Sequence, residues 1–133
     1  MPLIGAHVST ATALDLSFDR AQAIGAKCSQ IFISPPQQWG QTAHTEATIQ
    51  KWLDKQNSTG IKPTVIHGIY LINLATDIPA NLSKALSWLK YSQKMAGKLN
   101  ILGTIFHLGS HKGRGFEAGG KQAGQGDGYR ILS

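Results

Sequence analysis

Pro63-Thr64-Val65-Ile66-His67-Gly68-Ile69 is an apolar run of strand length that carries a histidine near its end. After Pro79 it is followed by a long stretch of helical periodicity. Leu82, Ala85, Leu86, Leu89 and Ala96 recur there at offsets of three and four, on one face of a helix that stops near Gly97. The same pairing repeats on both sides. Upstream, residues 3–8 form a strand followed by Leu14, Phe18 and Ala21 on a first helix that ends near Gly25. Residues 28–33 form a second strand, and its helix begins at Thr45 as N-cap, buries Ile49, Trp52 and Leu53, and ends at Gly60. Downstream, residues 99–107 form a fourth strand, with a further helical segment starting after Gly113. The order β-α-β-α-β-α-β predicts an α/β fold in which helices cover a parallel sheet.

Two architectures share that order, an open doubly wound sheet and a barrel. A dinucleotide-type sheet carries a glycine-rich phosphate turn after its first strand, whereas Gly5-Ala6-His7-Val8-Ser9 places a histidine there. A complete (β/α)8 barrel takes roughly 250 residues, so a 133-residue chain holds about the first four βα units, half a barrel. In such a half the first and fourth strands are exposed edges and the interior face is bare.

The composition, 41% hydrophobic and 15% charged, is that of a globular protein with one sizeable core. No apolar run approaches bilayer length and no leader opens the chain, so the expected location is the cytoplasm. The single cysteine, Cys28, excludes an internal disulfide and reads as a buried thiol in its apolar run. A net charge of +6 favours polyanions such as nucleic acid, although the cations are spread along the chain and a solvated basic surface accounts for them as well.

Residues 113–133 differ from the rest. Glycines stand at 113, 115, 119, 120, 124, 126 and 128, and Phe116, Tyr129, Ile131 and Leu132 offer little apolar face between them. Each glycine weakens a helix by about 1 kcal/mol relative to alanine, so this segment is expected to be a frayed fourth helix appended to a folded unit of residues 1–112.

Three of the five histidines, His7, His67 and His107, fall at the C-terminal ends of predicted strands one, three and four. Parallel strands aim those ends at one face, where active sites are built. Neutral imidazole is the commonest metal ligand, yet a histidine at a strand end is more often a hydrogen-bonded structural residue. The carboxylates do not help to decide: Asp77 and Glu117 lie in loop or tail, and Asp15, Asp19, Glu46 and Asp54 belong to helices. His44 reads as a solvated loop residue, and His111 follows strand four closely enough to face the same mouth.

Gly5-Ala6-His7-Val8-Ser9, Tyr70-Leu71-Ile72-Asn73-Leu74-Ala75 and Phe106-His107-Leu108-Gly109-Ser110-His111 resemble three signature segments of the endonuclease IV family, the family 2 apurinic/apyrimidinic endonucleases. The resemblance runs from residue 2 to about 117, in the family's order and spacing, and the three segments together are specific. It implies a (β/α)8 barrel with three zinc ions at its mouth, which cleaves DNA on the 5′ side of abasic sites. It also implies that His67 and His107 bind one zinc, that His7 is a pocket residue rather than a ligand, and that Tyr70 lies beside the flipped-out nucleotide. Asn73 and His111 belong to the same pocket segments. Residues 34–39, Ser-Pro-Pro-Gln-Gln-Trp, match a loop that the family inserts into DNA; Gln37 stands where an arginine is frequent, and Trp39 is expected to pack under the loop.

The chemistry suits these residue types. Phosphodiester hydrolysis needs a strong nucleophile and neutralised phosphoryl oxygens, and clustered zinc supplies both. Extruding a nucleotide from a duplex costs least where the base is already missing. The family's remaining ligands, including a glutamate that bridges two zincs, come from later strands and have no counterpart here. A zinc site needs three protein ligands, so His67 and His107 form at most a partial site and the isolated chain is expected to show little or no endonuclease activity. Two other readings stay open. One is a metal-dependent sugar isomerase or epimerase of the related barrels, which relies mainly on carboxylates; the other is a non-catalytic, truncated fragment that binds DNA through its charge.

Overall fold

The computed structural model describes residues 2–124; the last part of the glycine-rich segment, with Gly126, Gly128, Tyr129, Ile131 and Leu132, lies outside them. Four strands, β1 (Gly5–His7), β2 (Cys28–Ile31), β3 (Thr64–His67) and β4 (Thr104–Ile105), alternate with four helices, α1 (Leu16–Ala23), α2 (Glu46–Thr59), α3 (Pro79–Lys98) and α4 (Phe116–Gly124). All three strand pairings are parallel, and the strands lie in chain order, β1-β2-β3-β4. That order removes the ambiguity left by the sequence. A doubly wound sheet reverses its strand order at a switch point, whereas an unbroken 1-2-3-4 progression is an arc of a barrel.

The helices meet the expected signals. The Thr45 side chain accepts from the Thr48 amide at the start of α2, and Gly60 closes it at φ 67°, the left-handed conformation that glycine adopts without a Cβ penalty. Pro79 opens α3, where its missing N–H has no helical partner to lose. Phe18, Ala21, Trp52, Ala85 and Leu89 are buried against Ile31 and Ile66. The Phe18 and Trp52 rings lie 4.4 Å apart, and the Trp52 indole donates to the Leu99 carbonyl at 2.9 Å, so the largest core side chain also ties α2 to the end of α3. Hydroxyls buried under the helices pair with each other, Ser29 with Thr64 at 2.9 Å and Thr104 with Ser92 at 3.0 Å, as buried polar groups must.

One expectation needs correction here. The predicted fourth strand begins too early, at residue 99 where β4 starts at Thr104. Leu99 and Ile101 donate back to the Met95 and Ala96 carbonyls, and Asn100 takes φ 51° between them. This apolar stretch therefore caps α3 and fills the core instead of pairing in the sheet. The fourth helix forms over Phe116–Gly124 despite its glycines. One of them has a positive use, since a Cβ at Gly119 would lie 2.7 Å from the His111 Cβ; glycine lets α4 approach the preceding loop closely.

Candidate functional site

Side chains on β1, β2 and β3 that point away from the helices form a row. Strand alternation puts His7, Gln30 and His67 on this inward face, with Phe32 and His107 just beyond their strands. The ring centroids of His7 and Phe32 are 4.6 Å apart, those of Phe32 and His67 5.0 Å, and those of His67 and His107 5.7 Å. Tyr70 closes the group at 5.8 Å from His67 and 5.5 Å from Phe32. The three strand-end histidines do converge at one mouth. Phe32 and Gln30 are the members the sequence reading passed over, although the period of two along β2 marks both.

The hydrogen bonds give the histidines different characters. The Nδ1 of His67 lies 2.6 Å from the Gly68 carbonyl oxygen. A carbonyl only accepts, so Nδ1 carries the proton and Nε2 keeps its lone pair, the arrangement that orients a histidine ligand. His7 is the reverse: Gln30 Nε2 donates to His7 Nδ1 at 3.1 Å, and the neutral ring then presents an Nε2–H donor. Desolvation of the ring, and after it repulsion from His67, pulls the His7 pKa below the ordinary 6.5, even though the residue is exposed at its tip. The His67 ring therefore leaves its Nε2 lone pair unprotonated, while the His7 ring presents an Nε2–H to a hydrogen-bond acceptor.

With a Zn–N distance of ~2.0–2.1 Å, two imidazoles on one tetrahedral ion have centroids on the order of 5 Å apart, so the 5.7 Å spacing of His67 and His107 is compatible with a shared zinc. Among the described residues no cluster of three or more His, Cys, Asp or Glu is placed to hold a metal. The donor pair fits part of a zinc site and does not complete one.

The loops around the mouth are bolted together. The Tyr70 amide donates to the Pro36 carbonyl at 2.9 Å, joining the loops after β3 and β2. Asn73 joins the loops after β3 and β4: its Oδ1 accepts from the Ser110 amide at 3.1 Å and the Ala75 amide at 3.0 Å, and its Nδ2 donates to the Ser110 carbonyl at 3.0 Å. The Leu74 amide donates to the Leu108 carbonyl nearby, and Arg114 donates to that of Ala75. Gly109 sits at φ 105°, and a Cβ there would lie 1.9 Å from Asn73 Oδ1, so this turn requires glycine. With its amide committed, Asn73 is a positioning residue. His111 is likewise committed, its Nδ1 accepting from the Gly113 and Gly115 amides at 3.2 Å each.

The remaining positions divide clearly. Gln37 is exposed on the loop after β2, and Trp39 packs against the core. Tyr70 and Leu71 are exposed at the tip of the loop after β3. His44, read from sequence as solvated, is half-buried and its Nε2 donates to the Ile33 carbonyl at 2.8 Å, holding the β2–α2 loop. Cys28 is half-buried rather than buried, because it faces the inward side of the sheet. A cleft of about 910 Å³ runs beside His7 between the loops after β1 and β2, lined by Ser9, Phe32, Ser34, His44 and Lys51 among others.

The four-stranded parallel arc has counterparts among known proteins. A probable endonuclease 4 of Persephonella marina is 36% identical over 113 residues, covering 85% of this chain and 40% of the relative. Another, of Citrifermentans bemidjiense, is 37% identical over 119 residues, 90% of this chain and 42% of the relative. The chain resembles endonuclease IV. The solved endonuclease IV of Thermus thermophilus superposes with a TM-score of 0.80 at 27% identity, over 97% of this chain and 48% of that one, so the arc is half of that barrel. No family profile matches the chain. It spans about two-fifths of the length of these endonuclease 4 relatives. No helix among the described residues is long and apolar enough to cross a membrane.

Proposed function

We propose that the chain is the N-terminal, partial metal-binding half of a zinc-dependent DNA-repair endonuclease that hydrolyses the phosphodiester 5′ to abasic sites in duplex DNA, in the cytoplasm. The observation that carries this reading is the His67–His107 pair at 5.7 Å, with the His67 Nδ1 proton directed to Gly68. These two residues would hold one zinc, which when bound supplies a polarised water and charge neutralisation for the phosphate.

The chain's own residues do the rest. His7 offers its Nε2–H to an anionic or hydroxyl oxygen beside the pair. Exposed Tyr70 and Leu71 present an apolar tip against the space left by a missing base, where stacking costs no competing pair. Asn73 and Gly109 hold that tip in register with His107. Lys51 and the +6 charge draw the backbone toward the cleft.

Fluorescence anisotropy with matched duplexes tests the reading. The chain is expected to bind a duplex with one abasic site at least several-fold more tightly than the intact duplex, and Tyr70→Ala to remove the difference. Equal affinity for both duplexes would overturn it. Cleavage of an end-labelled abasic duplex, with and without added zinc, is expected to be slight for the chain alone, since the third ligand is missing. Clear zinc-dependent turnover would show instead that the site is complete.

A further inference from the structure

Thr12, in the loop between β1 and α1, has a backbone conformation that its residue type disfavours. Its φ is 76°, in the left-handed region where an L-residue crowds its Cβ against the backbone and a β-branched one is an outlier. The side chain is exposed and has no hydrogen-bond partner among the described residues. Thr12 itself therefore makes nothing that offsets the strain.

Its surroundings hold it instead. Arg20, on α1, donates from Nη1 to the Ser9 carbonyl at 2.7 Å and from Nη2 to the Ala11 carbonyl at 2.9 Å. The Ala11 carbonyl belongs to the peptide whose orientation sets the φ of Thr12, so the second bond acts on the strained torsion directly. Buried Leu14 anchors the chain on the far side of Thr12, and Phe18 and Ala21, which flank Arg20, fix α1 in the core. A planar guanidinium spans two carbonyls in one fixed geometry; a lysine ammonium on its flexible stem does not.

The held loop meets the site at two places. Ser9, Thr10, Ala11, Thr12 and Ala13 form one wall of the cleft beside His7, whereas Arg20 does not line it. The Thr10 hydroxyl donates to the Phe32 carbonyl at 2.9 Å, and the Phe32 ring stands between His7 and His67. A shift of the Ser9 and Ala11 carbonyls thus moves both the wall and the residue that carries the central ring.

We propose that Arg20 is a positioning residue for the mouth, and that it holds the loop after β1 in a strained shape which a bound duplex meets already formed. Strain of this kind persists where the surrounding structure imposes it, and a preformed surface spares the cost of ordering on binding. The duplex as the bound partner rests on the proposed endonuclease reading; the hold of Arg20 on the loop does not.

Hydrogen exchange measured by NMR on the 133-residue chain tests that hold without DNA. Arg20→Ala is expected to speed exchange of the Ala11 amide, which donates to Ser9 Oγ, by ~10-fold, with the Ile66 amide in the sheet unchanged. Arg20→Lys keeps the charge and is expected to show the same acceleration. Adding Thr12→Gly to Arg20→Ala removes the Cβ penalty and is expected to bring Ala11 back to within ~3-fold of wild type. Anisotropy with the abasic duplex then tests the consequence. Arg20→Ala is expected to weaken binding ~10-fold, as a competent loop population of about one tenth requires, with an unchanged salt dependence. A lost phosphate contact would instead flatten the slope of log K against log salt by about 0.9. Unchanged Ala11 exchange, an Arg20→Lys chain that behaves as wild type, no recovery with Thr12→Gly, or a flattened salt slope would each overturn the proposal. Equal binding of abasic and intact duplexes by the wild-type chain, with the exchange results as expected, would leave the positioning role standing and overturn the endonuclease reading.

Discussion

The two faces of the sheet are built from the same four strands and by opposite rules. Under the helices, residues alternate Ser29, Ile31, Thr64, Ile66; both isoleucines are sealed, and the two hydroxyls pair with each other. On the inward face the intervening residues are Gln30, His67 and their neighbours Phe32, His107 and Tyr70, ring-bearing, partly open, and connected through edges rather than through a packed core. The packed core therefore lies on one side and the proposed site on the other, separated by one residue of strand period. A one-residue register slip would exchange them.

The sharpest way to break this division is to strike the helix side. Trp52→Ala removes the largest core ring together with its bond to the Leu99 carbonyl, and urea unfolding is expected to show a loss of about 3–5 kcal/mol. A loss below about 1 kcal/mol would mean that the helix face does not carry the fold.

Next is the clamp that joins the faces' loops. Asn73→Ala leaves the Ser110 and Ala75 amides without their acceptor and is expected to cost about 1–3 kcal/mol, with faster exchange of the Ser110 amide. Gly109→Ala is expected to reproduce that exchange phenotype, because its Cβ displaces the same Asn73 carboxamide.

On the open face the pattern inverts. His67→Ala and His107→Ala are each expected to change stability by no more than about 0.5 kcal/mol, yet each removes the zinc-induced shift of the other ring's NMR signals. His7→Ala is expected to preserve that shift. A His7 variant that lost it would make His7 a ligand and erase the distinction drawn from the Gln30 and Gly68 hydrogen bonds.

The smallest effect is the pH response of His7, whose folded pKa lies below 6.5. As pH falls past 6.5 the unfolded chain takes up a proton that the folded ring still refuses. The unfolded state then binds more protons, and stability declines through that window down to the folded pKa. His7→Gln is expected to flatten this part of the stability–pH curve; an unchanged slope would assign it to another group.

Much of this was legible beforehand, for identifiable reasons. Helix faces were readable because Ile49, Trp52, Leu53 and Leu82 to Ala96 obey a helical period, and the histidines because strand ends mark the mouth of a parallel fold. Strand limits were less so: Leu99 and Ile101 are as apolar as a strand requires, and only the backbone turn at Asn100 sends them into the core. The commitments of Asn73, His44 and His111 to holding loops were hidden, since a polar side chain's partners lie far along the chain or are backbone groups without sequence identity.

By itself the sequence determined the alternation of strands and helices, the apolar helix faces and the histidines that end β1 and β3 or follow β4, all local patterns set by side-chain period. The tertiary structure alone decided that the strands run 1-2-3-4 as a barrel arc, that Phe32 stands between His7 and His67, and which nitrogen of His7 and of His67 is free. Those depend on distances between segments tens of residues apart, which packing and hydrogen bonding fix and which no local pattern encodes.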